Sequence, residues 1–242
     1  MIEDTRIGLH FGVNFVFSPP VLMDSVHLRQ FEGAMAERLI EFDLRQARPQ
    51  GGMAFRRSEG QLEVGVGPVG PGAPIAQLVI RAPQPRRLLE EFVGEATEIV
   101  DAFYRVWDRP IRIVARDCTI RHLYAVHEPA HAFQFLWENR LKQQPGSLEV
   151  FGRQVLGGGL RLVMPAMGGS EEGGVHGPEG PETIELKIES YLRDSSKLYV
   201  DVAFQWPTPQ AVEKRMDAKS LLERVHAFAV NEVVRFLQEP TG

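Results

Sequence analysis

The sequence predicts an α+β protein in which duplicated β-α-β-β-β-α units form one curved antiparallel sheet with helices packed on one face. Residues 7–17 alternate between apolar and small or polar side chains, which is the period of a half-buried strand. The stretches 24–42 and 86–107 instead repeat their apolar residues every three or four positions, as amphipathic helices do. The same order of elements then recurs after Pro110, which indicates an internal repeat.

The first predicted unit covers residues 1–108. Its first strand ends at Ser18-Pro19-Pro20, and Asp24 is placed to cap the following helix. Gly51-Gly52 interrupts the chain before three short strand candidates, because glycine pairs favour turns. We predict these strands at 53–57, 61–66 and 75–82, and a second helix at about 86–107.

The second predicted unit covers residues 109–242 and repeats this order with one extra strand. A strand at about 118–126 precedes a helix from Pro129 to about Leu141. The stretch 168–181 is rich in Gly and Glu, and we predict a mobile loop there because it has little apolar surface to bury. Ser220 and Glu223 have the spacing of a capping box and predict the start of the last helix. The remaining strands are predicted at 148–155, 160–164, 184–192 and 197–206.

Composition favours a soluble globular chain and disfavours several function classes. The chain has 242 residues, of which 43% are hydrophobic, and it has no apolar run of the roughly 18 residues that a membrane span needs. The net charge of −5 disfavours general nucleic-acid binding, because such proteins carry an excess of basic residues. The first residues carry acids where a signal peptide carries bases, and Cys118 has no internal disulfide partner. Both observations predict a cytoplasmic location.

The segment His127-Glu128-Pro129-Ala130-His131 matches the H-E-x-x-H pattern of zinc hydrolases. In those enzymes the two histidines lie one helical turn apart and bind one metal, while the glutamate activates water. Pro129 disfavours this arrangement, because proline removes a helical hydrogen bond and restrains the residue before it. We therefore interpret the segment as a strand-to-helix turn. A metal-dependent hydrolase using His127, Glu128 and His131 is kept as an alternative.

Residues 65–70 match the G-x-G-x-x-G pattern of dinucleotide-binding proteins. That chemistry requires a helix directly after the loop, so that its first N–H groups face the pyrophosphate. Pro71-Gly72-Ala73-Pro74 and a predicted strand follow instead. We therefore interpret the segment as a hairpin or loop, and no cofactor is predicted. Cys118 lies in a predicted strand and is interpreted as a small core residue.

The predicted sheet face opposite the helices is the candidate binding surface. Gly8 and Gly12 on its first strand would permit close approach of a ligand or partner, and tyrosines on its late strands suit an interface. An ordinary solvated sheet face is the alternative interpretation. The candidate contact residues are His10, Asn14, Asp117, Arg121, Glu189, Tyr191, Tyr199 and Asp201.

Several short motifs resemble those of a sporadically distributed bacterial family of uncharacterised proteins of about this length. They are Ser18-Pro19-Pro20, Arg116 with Arg121-His122-Leu123-Tyr124, Tyr199-Val200-Asp201-Val202, and Leu222-Glu223-Arg224-Val225-His226 with Phe236. The resemblance covers nearly the whole chain and implies two β-α-β-β-β-α halves, with no known activity and no catalytic residues. In topology alone, two such halves are also similar to the saddle of TATA-box-binding proteins.

These patterns predict a non-enzymatic ligand-binding or protein-interaction module that uses the open polar sheet face. The expected partner is an unidentified protein or small molecule, and a homodimer is a further expectation. The hydrolase and a nucleic-acid-binding saddle are the alternatives.

Overall fold

The computed structural model describes residues 2–58, 61–85, 87–126, 131–165, 181–210 and 215–238. Within them, nine strands form one sheet in which every neighbouring pair is antiparallel. The strands are β1 (Ile2–Ser18), β2 (Leu44–Ala47), β3 (Met53–Arg56), β4 (Glu63–Pro68), β5 (Ala76–Ala82), β6 (Arg112–Val126), β7 (Gly159–Pro165), β8 (Thr183–Ser190) and β9 (Lys197–Trp206). Their order across the sheet is β2-β3-β4-β5-β1-β6-β9-β8-β7. The predicted α+β class and the antiparallel sheet are confirmed.

The helices are α1 (Ser25–Ala36), α2 (Leu89–Val106), α3 (Ala132–Gln134), α4 (Ala218–Ala227) and α5 (Val234–Gln238). A π-helical turn at Phe135–Arg140 continues α3, and another at Phe228–Val233 joins α4 to α5. Among the described residues, no helix is both long enough and apolar enough to cross a membrane.

The two predicted units meet at the centre of the sheet, where the long strands β1 and β6 pair. In each unit the last strand returns to the side of the first, so β5 pairs with β1 and β9 pairs with β6. The joint predicted at 108–110 falls between the end of α2 and the start of β6. This shared order does not by itself show a duplication, which stays a prediction.

The helices cover one face of the sheet because alternate strand residues and one stripe of each helix are apolar. Phe17 of β1 contacts Phe103 of α2, with ring centroids 5.3 Å apart, and Phe31 of α1 contacts Phe55 of β3 at 5.9 Å. In the second unit, Phe204 of β9 contacts Phe228 at 5.6 Å. Each such buried aromatic ring stabilises the fold by roughly 2–3 kcal/mol through burial.

The ends of the helices follow the local chemistry of the chain. Asp24 caps α1 as predicted, since its carboxylate accepts from the backbone N–H groups of Val26 and His27 at 2.9 Å. The last helical segment begins earlier than predicted, at Ala218. Asp217 is its N-cap and accepts from the Ser220 N–H at 2.9 Å, so the predicted capping box at Ser220 is wrong. An acidic side chain three residues upstream satisfies the same free N–H groups.

One predicted strand is wrong, and one strand lies where the sequence predicts none. Residues 148–155 were expected to form a strand, but Pro145–Phe151 forms a 3-10 helix that ends at Gly152 in the left-handed conformation. The structure instead adds β2, whose four residues are all exposed and therefore lack an alternating apolar pattern. Among the described residues, five strands therefore precede Pro110 and four follow it, whereas the sequence predicts four and five.

A β-bulge in β1 corrects the predicted face of its first residues. Gly8 pairs with His122 and His10 pairs with Arg121, so Leu9 is an extra residue between them. Because side chains alternate along a strand, the extra residue reverses the alternation. Gly8 therefore lies on the helix-covered face, where a Cβ atom would come within 2.7 Å of the Phe11 ring. Ile7, expected in the core, is half exposed.

Three sequence predictions fall wholly or partly outside the described residues. His127 and Glu128 of the H-E-x-x-H segment lie outside the described residues, and so does the predicted loop at 168–181 except for Pro181. The predicted helix from Pro129 is described from His131 onward, and that part is helical.

Candidate functional site

The open face is the side of the sheet that the helices do not cover, and its polar residues lie in rows across the central strands. One row is formed by His10 of β1, Arg121 of β6, Asp201 of β9 and Lys187 of β8. Each of these residues is directly opposite the next in the antiparallel register, so their side chains share one face. The rigid centre of the sheet therefore brings together residues that are up to 191 positions apart in the chain.

Asp201 holds the middle of this row. Its Oδ2 accepts from Arg121 Nε at 3.0 Å and from the Tyr199 hydroxyl at 3.1 Å. Only 8% of the residue is exposed, so its negative charge is stabilised by these two donors rather than by water. We call His10, Arg121, Tyr199 and Asp201 the central cluster.

Arg121 uses only part of its hydrogen-bonding capacity within the described residues. Its side chain is 41% exposed, and among the described residues its guanidinium uses only Nε, toward Asp201. The terminal nitrogens of a guanidinium carry four further N–H donors in a fixed plane. A positioned and partly exposed guanidinium of this kind is suited to bind an acceptor group.

His10 lies beside Arg121 as a neutral side chain. Burial, followed by the positive charges of Arg121 and Arg81, lowers its pKa to about 4. Its Nε2 occupies space that a Cβ atom on Gly12 would enter, at 2.9 Å. Gly12 therefore allows the imidazole to lie against the strand, and this is a specific reason for glycine at that position.

The Tyr199 hydroxyl is also held in its neutral form. Burial and the neighbouring Asp201 carboxylate raise its pKa to about 12, so it donates to Asp201 throughout the neutral range. A general acid or base works best when its pKa is near the operating pH. The pKa values of His10 and Tyr199 lie far from neutrality on opposite sides, so neither group gains or loses a proton near neutral pH.

Asn14 and Asp117 form a second pair on the open face. Asn14 Nδ2 donates to Asp117 Oδ2 at 2.8 Å, and burial raises the pKa of Asp117. The pair lies four residues along β1 and β6 from His10 and Arg121, which is about 14 Å in a strand. The small residues Gly12, Thr119 and Ala203 form the one row between them. The two groups share a surface but make separate contacts.

The remaining two predicted contact residues do not join the central cluster. Glu189 is opposite Tyr199 in the register, but its side chain is exposed. Tyr191 follows the end of β8 and lies in the turn to β9, where its N–H donates to the Lys197 carbonyl at 2.8 Å. The predicted strand extended too far, since the turn begins directly after Ser190.

A recess on the open face extends from the central cluster toward β4 and β5. Arg121 and Tyr199 border one side of it, while Glu63 and Arg81 border the other. Glu63 Oε2 lies 2.6 Å from Arg81 Nη2. The recess therefore connects the charged side chains of the first unit with the central cluster.

Sequence reasoning missed the polar residues of β3, β4 and β5 on this face. Arg56 of β3 is opposite Glu63 of β4, which is in turn opposite Arg81 of β5. The alternation within residues 75–82 does indicate that Arg81 points away from the apolar residues beside it. Arg48 also lies on this face. It follows β2, a strand that the sequence does not predict, and no alternating pattern indicates where its side chain points.

The described part of the H-E-x-x-H segment is His131. It caps α3, with Nδ1 accepting from the Phe133 N–H at 3.2 Å. Among the described residues, no group of three or more His, Cys, Asp or Glu side chains is placed to hold a metal ion. Cys118 is buried in β6, and burial raises its pKa well above the ordinary value, as expected of a core thiol.

Comparison with known proteins assigns no family. No protein-family model matches the chain, and no curated protein matches it. The arguments for function therefore rest on the open face itself.

Proposed function

We propose that this chain is a non-enzymatic binding protein that recognises a polar small-molecule ligand on its open face. The observation that carries the proposal is the arrangement of Arg121, Asp201 and Tyr199. A nearly buried carboxylate fixes a guanidinium and a phenol at 3.0 and 3.1 Å, and 41% of the arginine side chain is exposed.

The position of the central cluster supports this proposal. Its residues are on β1, β6 and β9, the central strands of the sheet, whose opposite face packs against the helices. Side chains on such strands lose little freedom when a ligand binds, because their geometry is already set. The recess beside the cluster supplies a concave surface on which a ligand would contact Arg121 and Tyr199 together.

The proposal is tested by measuring ligand-induced thermal stabilisation with a defined panel of carboxylates, sugar phosphates, nucleotides and amino acids. A ligand of the open face raises the melting temperature of the wild-type protein. Arg121→Gln removes a charged donor and is expected to weaken that ligand by about tenfold or more, and Tyr199→Phe by a smaller factor.

Arg161→Gln is the matched control. Arg161 lies on the same face at the edge strand β7, paired with Glu185 at 2.8 Å, and is outside the recess. It should bind the ligand as the wild-type protein does. If Arg121→Gln and Tyr199→Phe also retain full affinity for every ligand that stabilises the wild type, the open-face site is wrong.

A further inference from the structure

The first unit carries a small pocket on the open face that the central cluster does not use. It has a volume of about 300 Å³ and lies over β3, β4 and β5. Its charged lining residues are Arg48, Arg56, Glu63 and Arg81. We call it the arginine pocket.

Arg48 is held at this pocket by neutral groups. Its guanidinium lies over Gly65, with Nη1 3.7 Å from where a Cβ atom on that glycine would be. The amide oxygens of Gln50 and Gln77, when oriented toward it, accept from Nη2 at 3.0 and 2.9 Å. Amides orient a guanidinium but do not neutralise it. Among the described residues, no carboxylate pairs with Arg48.

The pocket contains more positive than negative charge. Glu63 is its one carboxylate among the described lining residues, and it is shared by Arg81, at 2.6 Å, and Arg56, at 3.4 Å. Three guanidinium groups against one carboxylate leave a local excess of two positive charges. The buried Nε atom of Arg56 makes that 3.4 Å ion-pair contact with Glu63 but no hydrogen bond within the described part of the chain.

The environment of Arg48 is unfavourable for its charge. Burial, followed by the nearby Arg81, lowers its pKa. Like charges brought together in a partly dehydrated site repel each other, and an added negative group would relieve that repulsion. Guanidinium groups bind carboxylate and phosphate oxygens through paired N–H donors, so a group that neutralises this site would be one of these two.

We infer that the arginine pocket binds an oxyanion, either a carboxylate or a phosphate group, through Arg48, Arg56 and Arg81. Arg81 and Glu63 border both this pocket and the recess beside the central cluster. The oxyanion would thus be the acidic group of the ligand in the proposed function. Only the joining of the two sites rests on the proposed function. Anion binding by the pocket itself does not, because all of its lining residues belong to the first unit.

The test uses three probes on the full chain: inorganic phosphate, succinate and acetate, each titrated by calorimetry at neutral pH and low ionic strength. We expect saturable binding of phosphate or of succinate. Binding of phosphate alone assigns a phosphate group, whereas binding of the carboxylates alone assigns a carboxylate. Arg48→Gln is expected to weaken the bound anion by about tenfold or more, because it removes a charged donor.

Arg45→Gln is the matched control, since Arg45 belongs to β2, three residues from Arg48, and pairs with Glu32 of α1 on the helix-covered side. It should leave anion affinity within about twofold of the wild type, as expected of an exposed ion pair. The melting temperature of each variant verifies that it is folded. Absence of saturable binding for all three probes, or equal affinity in Arg48→Gln and the wild type, overturns the inference.

The outcome is distinguishable from failure of the proposed function. A panel ligand that is lost in Arg121→Gln but retained in Arg48→Gln supports the central cluster and contradicts the joining of the two sites. An anion that is lost in Arg48→Gln, when no panel ligand is lost in Arg121→Gln, supports the pocket and contradicts the central cluster.

Discussion

The helix-covered face and the open face of the sheet are formed by alternate residues of the same strands, yet they treat charge differently. On the covered face, Ile120 and Val200 are fully or almost fully buried. On the open face, their neighbours Arg121 and Asp201 pair across the strands at 3.0 Å. The covered face stabilises the fold by burying apolar side chains, whereas the open face holds charged side chains that a ligand could contact.

Two histidines sharpen this comparison because they lie in adjacent strands on opposite faces. Burial is the first cause that lowers the pKa of both His122 and His10 to about 4. His122 is enclosed by the aromatic rings of Phe11 and Tyr124, at 5.9 and 6.0 Å. His10 instead lies beside the charges of the open face. His122 is therefore neutral within the aromatic packing of the covered face. His10 is neutral too, and it is an uncharged polar group at the candidate site on the open face.

The largest expected effect is on the covered face. Phe103→Ala removes a fully buried ring that contacts Phe17, Phe31 and Trp107. We expect the free energy of unfolding to fall by about 3–5 kcal/mol, measured by urea denaturation. Phe151→Ala is the control, since Phe151 is 66% exposed and its removal should have little effect. A cost below about 1 kcal/mol for Phe103→Ala would contradict the described core.

The next effect is the contribution of His122 to the dependence of stability on pH. Its pKa is lowered from 6.5 to about 4, so the unfolded chain binds a proton in this range more readily than the folded chain does. Its contribution is fully present above pH 6.5 and is lost as the pH falls toward 4. The shift corresponds to about 3 kcal/mol.

This dependence is measured by urea denaturation at several pH values between 4 and 7. His122→Leu should flatten the loss of stability over that range. His10→Asn should flatten it less, because His10 is partly exposed and a charge there is better solvated. An unchanged pH profile in His122→Leu would show that the imidazole is not buried as described.

The smallest expected effect is a difference in the free energy of unfolding between substitutions on the two sides of the open face. Glu63 and Glu185 each contact two cations, and their side chains are 19% and 20% exposed. Glu63→Gln should cost about 1–2 kcal/mol, since it also leaves Arg48 with two unneutralised neighbours, whereas Glu185→Gln should cost less.

Phosphate or carboxylate titration gives a second measure of the same difference. Glu63→Gln raises the local positive charge and should tighten the anion that the arginine pocket binds. Glu185→Gln lies across the sheet on β8 and should leave that affinity unchanged. Equal stability costs together with equal anion affinities would show that the two sides of the open face do not differ.

The elements that the sequence predicted well are those with long and regular apolar patterns. The alternation in Phe11, Val13, Phe15 and Phe17 predicted β1, and the stripe ending at Trp107 predicted α2, because burial on one side is what imposes these periods. The strand β2 has no such pattern, because it pairs with β3 through its backbone while all four of its residues are exposed. The 3-10 helix was mistaken for a strand, as short apolar runs do not distinguish the two.

The candidate site was predictable in part. Alternation correctly placed His10, Asn14, Arg121 and Asp201 on one face, because that property is local to each strand. Their distances depend on which strands are neighbours, and a single sequence does not state the strand order. The contribution of Arg48 was not predictable, since it depends on a strand without a pattern and on a glycine two strands away.

The extra residue in β1 has a consequence for how this strand encodes its two surfaces. The apolar residues keep one phase along the sequence on both sides of Leu9, but the bulge turns the earlier segment over, so Ile7 lies on the open face and Gly8 on the covered face. Ile7 is opposite Leu123 of β6, which is 5% exposed, so the two form an apolar pair on the open face. The open face therefore changes from polar to apolar along these two strands, and the inserted residue sets where that change occurs.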